Sequence, residues 1–190
     1  MQLLKSKGLN NLKLVLLSGK AGCGKTTIGE MISANLNARR YKCVNANFAD
    51  LVKYICRNFC GWNGEKDDKG RRLLQFVGTD VVRADNPNYW VKFIADMIKY
   101  FGDTFDYMII SDCRFPNEIE YFKERDINNL DDVIAVRIER EKQTFCNISA
   151  ENSKHSSENA LDDYQGFDLK VLNQENEAFI AANKIIEYIL

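Results

Sequence analysis

The chain contains no run of the roughly 18 apolar residues that a membrane-spanning helix needs, although 45% of its 190 residues are hydrophobic. Residues 1–11 have no apolar centre of the kind a secretory leader carries. The expectation is therefore a cytoplasmic protein with no membrane partner. Charge of one sign is also missing: 26 Lys and Arg against 27 Asp and Glu leave a net −1. No global positive field exists to collect DNA or RNA by its phosphates. Only one histidine is present, His155, and the six cysteines show no zinc-ligand spacing, so neither a metal cage nor a disulfide framework is expected. Cys56 and Cys60, one helical turn apart, read as core residues rather than a redox pair.

What is present supports one compact domain over residues 1–190. Five short apolar runs read as strands, at 13–18, 42–46, 107–111, 133–138 and 168–172. Most are continuous rather than alternating, which indicates a parallel sheet covered on both faces by the intervening helices. Two stretches interrupt this α/β rhythm. Residues 47–104 carry helical patterns near 48–59, 71–83 and 89–101, and residues 140–165 form a polar segment that reads as a lid. In an open α/β sheet, ligands bind beyond the carboxyl ends of the strands, where both insertions can close over a site. In the last helix, Asn173 is the expected N-cap, with Phe179, Ile180, Ile185, Ile186 and Ile189 on its buried face.

The first apolar strand runs directly into Gly19-Lys20-Ala21-Gly22-Cys23-Gly24-Lys25-Thr26, a complete G-x-x-x-x-G-K-[ST] loop, and Thr27 follows. Backbone N–H groups turned inward by such a loop, with a helix N-terminus behind them, cradle a polyphosphate. Lys25 is positioned to bridge the β- and γ-phosphates of ATP, and Thr26 to ligate Mg²⁺. An amphipathic helix follows, with Ile28, Met31, Ile32 and Leu36 on one face, as the motif requires.

Three further groups carry chemistry. Asp112 and Arg114 follow the third strand at its carboxyl end. There Asp112 can hold the Mg²⁺ shell or orient the attacking oxygen while Arg114 clamps a phosphate, or the two can pair as a structural ion bridge. Gln75, Thr79 and Arg83 recur every four residues, forming either a pocket lining or a solvated helix face, and Gly78 between them suggests a close approach. Arg137 and Arg140 stand at the lid entrance, where they either neutralise charge on a transferring phosphoryl group or belong to an ordinary solvated loop. A GTPase-type switch is disfavoured, because the chain's Asn183-Lys184 pair lies within a helical pattern and lacks the Asn-Lys-x-Asp continuation.

With these pieces in place, the chain resembles the bacteriophage deoxynucleoside monophosphate kinases and their P-loop relatives over nearly its whole length. The resemblance is carried by the phosphate loop, F-A-D-L-V-K from Phe48, R-R-L-L-Q-F-V-G-T-D-V-V-R from Arg71, D-C-R-F-P-N-E from Asp112 and H-S-S-E from His155. It implies a three-layer α/β P-loop kinase fold with a helical substrate-binding insertion and a lid. It also implies transfer of the ATP γ-phosphoryl group to the 5′-phosphate of a deoxynucleotide. By position, Gly22, Cys23, Gly24, Lys25, Thr26 and Thr27 hold ATP and Mg²⁺ with Arg140, Asp112 and Arg114 face the acceptor, and Asp50, Gln75 and Arg83 contact the substrate. Small-molecule nucleotides are the expected partners. A hydroxymethylated base within DNA is the alternative acceptor, and a homodimer is left open.

Overall fold

The computed structural model describes residues 12–65, 67–140, 155–175 and 177–190. Its centre is a five-stranded, wholly parallel sheet in the order β2-β3-β1-β4-β5. The strands are β1 (Leu12–Ser18), β2 (Cys43–Ala46), β3 (Tyr107–Cys113), β4 (Leu130–Glu139) and β5 (Leu169–Leu172). Because side chains alternate across a strand, β1 feeds two cores. Leu12, Leu14 and Leu16 pack into one with Val52, Trp90, Ile94 and Phe122, and Val15 and Leu17 into the other with Ile28, Ile32, Ile185 and Ile186. Burial on both faces is what a continuous apolar strand is built for, and it produces three layers.

The helices supply those faces. They are α1 (Lys25–Ala38), α2 (Asp50–Phe59), α3 (Asp68–Gln75), α4 (Val82–Asp85), α5 (Tyr89–Phe101), α6 (Pro116–Lys123), α7 (Ser156–Asn159) and α8 (Ala178–Ile189). Ile28, Ile32 and Leu36 of α1 recur at helical spacing and are fully buried. Pro116 opens α6, and the Glu118 carboxylate reaches back to accept from the N–H groups of Arg114 at 2.6 Å and Phe115 at 3.0 Å. That arrangement satisfies donors at the helix start. The chain winds from β1 out to β2, returns through β3, then crosses β1 to β4 and β5. Strand order thus reverses beside the carboxyl end of β1, where an α/β sheet opens its ligand crevice.

Several expectations need correction. The 71–83 pattern is not one α-helix: Phe76–Val81 is a π-helical segment between α3 and α4, and the Trp90 indole N–H donates to the Gly78 carbonyl at 2.8 Å. Wide turns of this kind concentrate at functional sites. A β-carbon on Gly78 would lie 3.4 Å from Val52, ordinary contact rather than a clash. Asn173 does not cap the last helix, which begins five residues later; its buried amide donates instead to the Cys23 carbonyl at 2.8 Å. Phe179 and Ile180 are 63% and 48% exposed, so the buried face of α8 consists of Ala181, Ala182, Ile185, Ile186 and Ile189. Cys56 is core as expected, while Cys60 is exposed. No described helix is long and apolar enough to cross a membrane. Most of the expected lid, residues 141–154, lies outside the described residues.

Candidate functional site

The loop between β1 and α1 is held in a conformation that its glycines permit. Gly24, immediately before α1, has φ +94°, and a β-carbon there would lie 2.4 Å from the Asn173 amide nitrogen. Only glycine accepts both the left-handed backbone and that approach. Asn173 thereby supports the loop from behind. Lys25 is buried, and its ammonium donates to the carbonyls of Gly19 at 2.7 Å and Lys20 at 2.8 Å. Its pKa is lowered from 10.5 to about 8, chiefly by burial and then by neighbouring Arg114, with Cys23, Glu158 and Asp112 acting in the opposite direction. Thr26 and Thr27 are exposed on the first turn of α1.

The loop forms one wall of a cleft of about 620 Å³ that opens between the carboxyl end of the sheet and the helical insertion. Lys25, Thr26, Gln75, Arg83, Asp112 and Arg114 all line it. Asp112 is the penultimate residue of β3 rather than lying beyond it, and it does not pair with Arg114. Its two oxygens accept from the N–H groups of Phe48 at 2.9 Å and Ala49 at 3.0 Å. Desolvation raises its pKa, opposed by those two donors and by Lys53. Arg114 Nη1 donates to the Glu158 carboxylate at 2.7 Å.

Thr79 also lines the cleft, so residues 75, 79 and 83 share a pocket face despite the π-helical interruption. Arg83 is not free: it pairs with the almost fully buried Glu118, donates to the Pro87 carbonyl at 3.3 Å, and its guanidinium lies 4.4 Å from the centre of the Phe115 ring. Burial pushes the Glu118 carboxyl up, and Arg83 opposes this. Asp50 is not among the cleft residues; it pairs with Lys53, which is, at 2.8 Å, and accepts from the Asn47 N–H at 3.0 Å. Arg140, immediately after β4, reaches the phosphate loop, donating to the Gly22 carbonyl at 3.2 Å. Arg137 contacts Ser18 Oγ and Asp162, both at 3.2 Å.

Sequence reasoning assigned no site role to Glu118, Glu158, Lys20 or Asn173. Glu158 lies within the H-S-S-E motif, the one signal in the chain that could have found it. Asn173 is expected from the sequence as a helix cap, and Glu118, two residues after Pro116, has the ordinary chemistry of a first-turn acidic residue, which masks any site role.

Residues 51–181 match the family described as deoxynucleotide monophosphate kinase. A phosphomevalonate kinase of Drosophila melanogaster is 28% identical over 174 residues, covering 86% of this chain and 89% of that protein. A deoxynucleotide monophosphate kinase of Escherichia phage RB69 is 44% identical over 52 residues, which are 26% of this chain and 21% of the phage protein. Among solved structures, an APS kinase of Mycobacterium tuberculosis in complex with AMPPNP and APS superposes with a TM-score of 0.52 at 8% identity, over 94% of this chain and 98% of that one. A hexameric APS kinase from Thiobacillus denitrificans gives 0.51 at 11% identity, over 95% of this chain and 29% of the other. Such low identities bear on the fold alone, and that fold is the three-layer α/β arrangement of P-loop kinases.

Proposed function

Since the chain belongs to the deoxynucleotide monophosphate kinase family, we propose that it transfers the γ-phosphoryl group of ATP to the 5′-phosphate of a deoxynucleoside monophosphate, forming the diphosphate. The observation that carries this reading is one cleft lined by both Lys25 of the phosphate loop and Arg114 at the end of β3. Phosphoryl transfer demands positioning and charge neutralisation more than covalent chemistry, and two cations facing one space supply both. Lys25 leaves its loop carbonyls to meet the β- and γ-phosphates. Arg114 meets the acceptor phosphate. Gln75 and Thr79 present amide and hydroxyl groups to the acceptor nucleoside. Arg83, aimed by Glu118, keeps further N–H groups for the acceptor phosphate, Asp50 acts through Lys53, and Arg140 closes the nucleotide side at Gly22.

A magnesium ion fits the donors present. Thr26 and Asp112 offer hard oxygens in the cleft, and no cluster of three or more His, Cys, Asp or Glu among the described residues would enclose a metal without substrate. Mg²⁺ is commonly held by one or two protein oxygens together with substrate phosphates and water. Bound there, it would neutralise charge on the phosphates.

The near full-length similarity to a phosphomevalonate kinase favours a second reading, in which the acceptor is a different small phosphomonoester. Both acceptors present a phosphate to Arg114, and they differ in what Gln75 and Thr79 would meet. Measuring ADP release with MgATP and each of dAMP, dCMP, dGMP, dTMP and phosphomevalonate separates them. Turnover is expected with at least one deoxynucleotide. Turnover with phosphomevalonate and none of the four would replace the first reading by the second.

A further inference from the structure

Glu158 lies 44 residues from Arg114 and 137 from Ala21, yet a single carboxylate oxygen, Oε2, accepts from both. The bond from Arg114 Nη1 is 2.7 Å and that from the Ala21 N–H, within the phosphate loop, is 3.3 Å. The two side chains of the ion pair are only 12% and 24% exposed, so the pair is shielded more than a surface salt bridge. The segment bearing Glu158 is itself seated on the loop. Lys20 Nζ donates to the Glu158 carbonyl at 2.8 Å and to Asn159 Oδ1 at 2.9 Å, and it pairs with Asp162, which Arg137 also holds from β4.

A guanidinium fixed at one Nη loses rotamer freedom while its other N–H groups stay available to a phosphate. Orientation of that kind contributes directly to rate when the reacting groups must be held in line. We infer that Glu158 is a positioning residue for phosphoryl transfer: it aims Arg114 across the cleft and makes that aim depend on a correctly seated phosphate loop. The inference rests on the proposed phosphoryl transfer but not on which phosphomonoester accepts.

The experiment uses the full chain as wild type, Glu158→Gln, Glu158→Asp, Arg114→Ala and the double variant Glu158→Gln/Arg114→Ala. Acceptors are the four deoxynucleotides and phosphomevalonate, with affinity for AMPPNP and thermal midpoint recorded in parallel. Glu158→Gln keeps the length and removes the charge. It is expected to lower kcat with the best wild-type acceptor about 10- to 100-fold, with AMPPNP affinity changed by about twofold or less. In the Arg114→Ala background the same change should have no further effect, because the group it acts through is gone. Glu158→Asp, which keeps the charge, should recover part of the rate.

Additive losses in the double variant would overturn the inference. So would tighter AMPPNP binding with faster turnover, which would make Glu158 an occupant that substrate must displace. Failure of both Glu158→Gln and Glu158→Asp to fold would assign the residue to the structure alone. A wild-type chain that phosphorylates phosphomevalonate and no deoxynucleotide removes the deoxynucleotide reading while leaving the Glu158 test intact, so the two failures are told apart.

Discussion

Lys25 is a cation buried at the phosphate loop. Its ammonium is held by two loop carbonyls, and burial depresses its pKa to about 8. The unfolded chain, with an ordinary value of 10.5, binds more protons between those limits, so this group opposes folding below about 8 and the opposition is relieved as pH rises through the window. A polyphosphate favours the charged form and raises the pKa again. Nucleotide binding should therefore take up a proton above about pH 8, and affinity should fall as pH rises from there. Calorimetry in two buffers of different ionisation enthalpy reads that uptake directly, and equal heats at pH near 9 would contradict it. Lys25→Met should erase the pH dependence and reduce turnover by about 10²- to 10³-fold. Its thermal midpoint without nucleotide should be unchanged or raised, since a desolvated charge is removed. The motif alone pointed to Lys25. Glu118 and Glu158 were not legible in the same way, because the partners that define them stand 35 and 44 residues away.

The secondary-structure elements show how far periodicity reaches. All five strands and the main helices were visible as apolar runs and helical spacings, because β1 buries nearly every side chain between two cores while α1 buries those at helical spacing. The same reasoning misplaced the start of α8. Asn173 has the chemistry of a cap, but packing behind the phosphate loop draws its amide to Cys23 and leaves its buried side-chain oxygen without a hydrogen-bond partner in the described structure. The consequence for α8 is measurable. Ile185→Ala should cost about 2–5 kcal/mol in urea unfolding, as a large-to-small change in a filled core does. Phe179→Ser, at an exposed position, should stay within about 0.5 kcal/mol. Comparable losses from both would restore the face originally expected. The π-helical turn at 76–81 had no sequence signature, since Trp90 bonding to the Gly78 carbonyl is an event between two helices.

Across the whole molecule, β1 joins the layers, and its carboxyl end emerges into the phosphate loop between the two cores. A ligand seated there contacts the folded chain in a way the unfolded chain cannot offer. At a concentration 100 times its dissociation constant, MgATP should stabilise the protein by about 2.7 kcal/mol. For a chain of this length, that raises the thermal midpoint by roughly 5–10 °C. Differential scanning calorimetry reads the shift; Lys25→Met should lose most of it, and no shift in the wild type would argue against nucleotide binding at the loop.

Local order in the chain was enough to indicate a parallel three-layer α/β fold, a phosphate-loop motif ending in Lys25-Thr26, and a carboxylate and a guanidinium, Asp112 and Arg114, at the carboxyl end of the third strand. Those features depend on neighbours in the chain: glycines in one turn, apolar residues at one period, a carboxylate and a guanidinium two positions apart. Long-range packing alone settled that Asp112 is held by the backbone of Phe48 and Ala49, that Glu118 engages Arg83, and that Glu158 links Arg114 to Ala21. The physical reason is that a charged group takes whichever partner folding delivers into its desolvated surroundings, and no spacing along the chain encodes that delivery.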